Sequence, residues 1–332
     1  MSTPTKALAL RVIELACRAP SVHNTQPWRW RVADGATVDL YADRRRQLPV
    51  SDPSGRNLAI SCGAALHHGS VVAQALGLTP GIELMPSADD QNHLARISLS
   101  PGARTDEASE RLRALEERNT DRRRFTSWPV PDTRLAHLAK SASGWGAHAI
   151  PITDMTGRFR AEELLNRALE LQASDPRFAE EQRVWTGSSH VDGVPVANAA
   201  PPAQGRAATR PNRFAPATKP GTDTRPEPKA STRVVESTDG LVAICTATDD
   251  QLSWLEAGEA LSALWLRATH DGLAIVPLSQ AIEVDETRQE LRETVFDGMA
   301  CPQILARVGW LETTRAPLAR TPRRPLDDVL ER

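Results

Sequence analysis

Cysteine is scarce in this chain, and what there is does not pair up. Cys17, Cys62, Cys245 and Cys301 lie far apart and never form a C-x-x-C. That spacing argues against a disulfide framework or a zinc site and fits a reducing cytoplasm. Long apolar runs are also missing: no stretch reaches the ~18–20 residues of a membrane span. The N-terminus has no basic-then-apolar leader, so the expected location is the cytoplasm, away from membrane. Neither sign of charge dominates. Forty Lys and Arg face 42 Asp and Glu, a net charge of −2. A protein whose main partner is nucleic acid usually carries a basic surplus, so no such partner is expected. Aromatics are few, one Tyr and five Phe, yet eight Trp stand beside them. Three catalytic signatures are absent. There is no G-x-G-x-x-G after a strand, no G-x-S-x-G elbow and no G-x-x-x-x-G-K-[ST] loop. A dinucleotide fold, a hydrolase triad and a nucleoside triphosphate loop are therefore not indicated.

What remains is an ordinary globular composition, 40 % hydrophobic and 25 % charged over 332 residues, enough for one large domain or two small ones. The densest signal is residues 19–30, APSVHNTQPWRW. It follows a helix-like run at 7–18 and leads into a strand-like run at 28–32. Pro20 stops the helix. Ser21, Asn24 and Gln26 then offer polar groups in a short loop between regular elements, where binding groups often sit. Trp28 and Trp30 read as core anchors. His23 reads equally well as a structural residue or a chemical one.

Two segments resemble each other: 56–78, RNLAISCGAALHHGSVVAQALGL, and 256–277, EAGEALSALWLRATHDGLAIVP. Both are long apolar-periodic helices that end in a Gly-Leu step. Small residues at close spacing (Ala59, Cys62, Gly63 and Ala64; Gly258, Ala260, Ser262 and Ala263) would let two such helices approach closely. His67 and His68 lie on the first with no carboxylate at i+4 and read as structural. Between the two segments the pattern predicts strands at 37–41 and 94–99 and a charged helix at 106–117. Helices at 132–141 and 161–173 and strands at 240–246 and 303–309 follow. Residues 186–233 show no period and hold eight prolines between Pro195 and Pro228. A loop this long is either functional or disordered.

Three further stretches stand out. Residues 118–125 read RNTDRRRF. Guanidinium forks grip phosphate oxygens in pairs, and Thr120 adds a hydroxyl. Alone, the stretch reads rather as a solvated basic turn after a charged helix. Residues 272–280, GLAIVPLSQ, look like a buried strand, and residues 321–326, TPRRPL, like a stiff basic tail.

Taken together, these stretches resemble the FMN-dependent nitroreductase family. Residues 19–28 are similar to its A-P-S-x-x-N-x-Q-P-W loop, residues 118–122 to its R-x-[ST]-x-[RK] motif, and residues 272–278 to its G-[LI]-x-x-x-P-[ILV] strand. The histidine before Asn24 makes the chain most similar to the mycobacterial acg-type nitroreductase-like flavoproteins. The resemblance implies an α+β nitroreductase-like fold, internally duplicated as a fused pseudo-dimer around a central helix pair. The halves would be 1–117 and 118–332, the latter with the Pro-rich insert or lid at 186–233. It implies one FMN per chain and NAD(P)H as electron donor. The chain would then reduce a nitroaromatic or quinone-like acceptor through flavin N5, or store FMN behind a closed lid.

The implied cofactor-binding residues are Pro20, Ser21, Val22, His23, Asn24, Gln26, Arg118, Thr120, Arg122, Arg123, Pro277, Leu278, Ser279, Gln280, Arg323 and Arg324. Arg118, Thr120, Arg323 and Arg324 would meet the phosphate end. Arg122 would sit near N1 and the C2 carbonyl. The Gln280 N–H would hydrogen-bond N5, and His23 would stand over the exposed ring face; these two are the candidate catalytic residues. Several relatives carry an acidic residue and a glycine where this chain has Ser279 and Gln280. A monomeric pseudo-dimer with no metal is the expected assembly.

Overall fold

A computed structural model of the chain describes residues 5–187, 191–199, 234–312, 314, 316 and 318–331. Its frame is two four-stranded antiparallel sheets. The first contains β1 (Trp28–Asp34), β2 (Thr37–Ala42), β3 (Leu78–Leu84) and β4 (His93–Pro101), in the order β1-β2-β4-β3. The second contains β5 (Ala147–Pro151), β6 (Gly240–Thr246), β7 (Leu273–Leu278) and β8 (Cys301–Trp310), in the order β5-β6-β8-β7. The order is the same in both, so the architecture is α+β and built twice.

A 20-residue helix joins the second and third strand of each sheet: α2 (Arg56–Ala75) in the first and α8 (Gln251–His270) in the second. These two helices pack against each other at the centre of the molecule. Each starts where an aspartate satisfies first-turn N–H groups. Asp52 accepts from the backbone N–H of Asn57 and Leu58 at 3.0 and 2.9 Å, and Asp250 from that of Ser253 at 2.8 Å. Burial pushes Asp52 up to about 7, against the pull of those two N–H groups.

One apolar core lies between α2, α1 (Lys6–Ala16) and the first sheet; Trp28 and Trp30 are fully buried in it, as anchors. A second core joins α8, α4 (Asp132–Ser141) and the inner face of the second sheet. A third covers that sheet's outer face with α5 (Met155–Ser174) and α10 (Asp285–Val295). The remaining helices are α3 (Asp106–Glu117), α6 (Pro176–Trp185), α7 (Val196–Ala199), α9 (Gln280–Glu283) and α11 (Leu326–Val329).

Several elements differ from the sequence pattern. The first helix ends at Ala16, where Arg18 and Ala19 N–H turn to the carbonyls of Leu15 and Ala16. The helix expected at 161–173 starts six residues earlier, capped by Asp154. The pattern gave no sign of β5, α6 or α10. The chain's last residues return to the first sheet. Glu331 N–H bonds the Trp30 carbonyl at 2.7 Å, and Arg29 pairs with Glu331 at 2.9 Å. Most of the Pro-rich stretch, 188–190 and 200–233, lies outside the described residues.

A candidate cofactor cleft between the halves

The loop after α1 is held under strain. His23, Asn24 and Gln26 all have positive φ (46°, 55° and 49°), a region that non-glycine residues seldom occupy. The surroundings enforce it. Ser21 Oγ accepts from Gln26 N–H at 2.9 Å, and Ser61 Oγ of α2 accepts from Val22 N–H at 3.1 Å. Asn24 Nδ2 donates to the Gly193 and Pro322 carbonyls, and Arg323 Nη1 donates to Asn24 Oδ1 at 3.0 Å. Gln26 receives Arg324 N–H at 2.8 Å and donates to the Val191 carbonyl at 2.9 Å. The loop is thus clamped by α2, by residues 191–193 and by the C-terminal segment.

Two hollows meet at this loop and share Pro20, Ser21, Thr120 and Arg122. They are the two ends of one cleft. The apolar end is walled by residues 20–23, by α2, by Leu261 and Trp265 of α8, and by residues 276–280. It leaves about 770 Å³ between protein atoms, its open mouth included, within the ~300–1,000 Å³ range of small-molecule sites. Strand β7 ends at Leu278 and turns into α9, whose first residue is Gln280. Gln280 is buried, and its Oε1 has no hydrogen-bond partner among the described residues.

The other end is basic and leaves about 1,440 Å³. Its geometry comes from the C-terminus of α1, where backbone carbonyls have no helical partner. The Arg18 carbonyl accepts from both Arg118 Nη2 and Arg323 Nη2, each at 3.1 Å. Arg323 also reaches the Ala19 carbonyl at 3.3 Å. Arg118 lies over the Trp265 ring at 4.7 Å, which links the two ends. Neither arginine has a carboxylate within ion-pair distance among the described residues, and the Nε of each is buried without a partner. Of the nearby acids, Glu14 is paired with Arg11 and Glu116 with Arg18. Burial, then the charge of Arg323, brings Arg118 down to about 9. Burial likewise brings Arg323 down to about 10. Two desolvated cations without a counter-charge are costly. An anion in this hollow would offset that cost.

Most residues singled out in the sequence come together here. Pro20, Ser21, Val22, His23, Thr120, Arg122, Pro277, Leu278, Ser279 and Gln280 line the apolar end. Asn24, Arg118, Arg323 and Arg324 join Pro20, Ser21, Thr120 and Arg122 at the basic end. Two residues do not line it. Gln26 lies behind the loop as a brace. Arg123 turns away to bond Asp121 at 2.5 Å and the Ala316 carbonyl at 3.1 Å. Asn57, Ser61 and Trp265 also line the cleft and carried no sequence signal. They sit on apolar helices whose period does not separate cleft-facing from core-facing positions. His67 bonds Ser262 Oγ at 2.8 Å, as a structural residue would.

Known proteins resemble the chain along nearly its whole length. "Putative NAD(P)H nitroreductase Rv3131" of Mycobacterium tuberculosis H37Rv is 37 % identical over 329 residues, covering 96 % of this chain and 90 % of that protein. "Putative NAD(P)H nitroreductase acg" of the same organism is 35 % identical over 321 residues, covering 96 % and 93 %. The chain belongs to the acg-type nitroreductase family. No protein-family model matches it. Two solved structures were also found, the nitroreductases of Bacteroides fragilis and Desulfitobacterium hafniense, both with bound FMN. They are 16 % and 14 % identical, each with a TM-score of 0.38 over 64 % of this chain and 94 % of the other. At those values the likeness carries no argument, and membership of the acg-type family rests on the sequence relatives. Among the described residues no helix is long and apolar enough to cross a membrane.

Proposed function

We propose that the cleft binds one FMN per chain and that the protein is an NAD(P)H-dependent oxidoreductase acting on nitroaromatic or quinone-like acceptors. The observation that carries this reading is the Arg118–Arg323 pair, buried with no carboxylate partner among the described residues at the basic end of the cleft. That pairing of a basic end with an apolar end suits the phosphate and ring of FMN. Arg118, Thr120, Arg323 and Arg324 would hold the phosphate. Pro20 to His23 would cover the ring, and Arg122 would sit beside its polar edge. When bound, the flavin supplies the chemistry, taking up a hydride and passing electrons to an acceptor.

The chain's own residues bind, orient and exclude water. Trp265 and the 276–278 strand end form the apolar wall. Gln280 opens a helix, so its N–H has no intrahelical acceptor and is available to orient the ring at N5. His23 would stand where an acceptor arrives. No side-chain acid or base is required. Both halves of one chain supply the walls, so a monomer would suffice.

A second reading is FMN storage with little turnover. It is favoured by residues 191–199, which dock on the loop and the basic end. The Asn198 carbonyl accepts from Arg122 Nη1 at 3.3 Å, and Val194 lines the hollow. Anaerobic stopped-flow mixing with NADPH, and separately NADH, tests both, watching the oxidised flavin band near about 450 nm. Rapid bleaching supports the reductase. A yellow protein reduced by dithionite but hardly by either nucleotide supports storage. A protein that neither contains nor takes up FMN overturns both.

A further inference from the structure

The duplication places a second cleft opposite the first. Adding 195 to a residue number carries α2 onto α8 and the start of β3 onto the start of β7. By that shift Ser61 and Ala64, which line the first cleft, correspond to Glu256 and Glu259, and Pro277 corresponds to Ile82. Glu256, Glu259 and Ile82 line a separate hollow of about 960 Å³, mouth included, together with Val71, Leu84 and Trp145. The residues before β5 cover it as the 20–26 loop covers the first cleft.

Its chemistry has been inverted. Where the first cleft ends in two guanidinium groups with no carboxylate partner among the described residues, the second holds carboxyl groups. Glu259 is only 4 % exposed and makes no hydrogen bond or ion pair among the described residues. One cation among the described residues, Arg111, lines the hollow, its side chain 47 % exposed. His67 is brought down to about 3 by burial and stays neutral, its Nδ1 engaged by Ser262. Arg111 is tied to Glu107 at 2.6 Å. Burial, and then the charge of Glu256, pushes Glu259 up to about 8. Apolar Val71, Ile82 and Leu84 form the rest of the wall, and Trp145 adds a ring that can face a cation.

We propose that this second cleft binds a small organic cation, an aromatic or alkyl ammonium, with Glu259 as its counter-charge. Once ionised, the same carboxyl groups would disfavour an anionic flavin phosphate. The cleft uses none of the residues of the first and stands whether or not the first holds FMN.

Calorimetric titration of the full-length protein with benzylamine, and separately with benzyl alcohol, tests this at pH 8.5. The two probes share a ring, and only benzylamine is charged. Benzylamine is expected to bind once per chain, at least tenfold more tightly than the alcohol. Glu259→Gln should weaken it at least tenfold while leaving the melting temperature unchanged or higher. Trp145→Ala, at a half-buried position, should weaken it several-fold. Equal binding of both probes, no binding of benzylamine, or binding unchanged in Glu259→Gln would each overturn the proposal. The comparison of the two probes on the unmodified protein decides even where a variant does not fold.

Discussion

Gly63 and Gly258 occupy the same step of two different helices and lean on each other's backbone. Each is the eighth residue of its 20-residue helix. A Cβ on Gly63 would lie 1.9 Å from the Leu255 carbonyl oxygen, and one on Gly258 would lie 2.1 Å from that of Ile60. Ile60 and Leu255 are themselves equivalent, so the contact reads the same from either side. That is the signature of a two-fold interface, here closed within one chain.

Gly63→Ala and Gly258→Ala are therefore expected to be strongly and about equally destabilising. Overpacking commonly costs ~1–3 kcal/mol, and rigid backbone on the far side puts these at the upper end or beyond. Urea unfolding would measure it. A loss below about 1 kcal/mol in either variant would mean that the helices separate easily.

Arg118→Met separates binding from stability. A charge-assisted hydrogen bond contributes ~1.5–3 kcal/mol, so FMN affinity should fall about 10- to 100-fold by titration. The FMN-free variant should melt no lower than the parent, because a desolvated cation without a carboxylate has been removed. A large loss of melting temperature with unchanged FMN affinity would make Arg118 a structural residue.

Arg122→Ala is expected to weaken FMN binding and to lower the potential of the bound flavin, since a nearby cation favours the reduced, anionic form. Spectroelectrochemistry reads the potential directly. An unchanged potential would remove Arg122 from the ring edge.

Acid should loosen the seam between the halves. Arg56, at the start of α2, pairs with Asp249 just before α8, and Trp254 Nε1 also donates to Asp249 at 2.7 Å. Burial alone would raise Asp249, but the hydrogen bonds from Arg56 and Trp254 and the charge of Arg56 hold it well below the usual carboxylate range. A depressed acid stabilises the fold above its unfolded value, near ~4, and that contribution fades as pH falls through the lower, folded value. Arg56→Leu should cost about 1–2 kcal/mol at pH 7, because Asp249 is partly open to solvent, and less below pH 3. Urea unfolding from pH 2.5 to 7 would check this; a cost that does not shrink in acid would assign the effect to packing.

The sequence by itself determined the local elements and the chemistry offered to the cleft. Asp106–Glu117, Asp132–Ser141 and Gly240–Thr246 fall where the pattern put them, since periodicity and caps are properties of neighbouring residues. The loop at 20–26 and the arginines at 118, 122 and 323 were legible for the same reason: their residue types are unusual where they stand. Which of them face the cleft was decided only by tertiary structure. Arg122 lines it and Arg123 does not, because Asp121 captures the latter. Asn57, Ser61 and Trp265 join because α2 and α8 pack at one register, fixed by Gly63 and Gly258. The same register places Glu259, unremarkable in sequence and without a partner among the described residues, against a second hollow. A side chain's neighbours across such an interface come from residues almost two hundred positions away, and no local period records them.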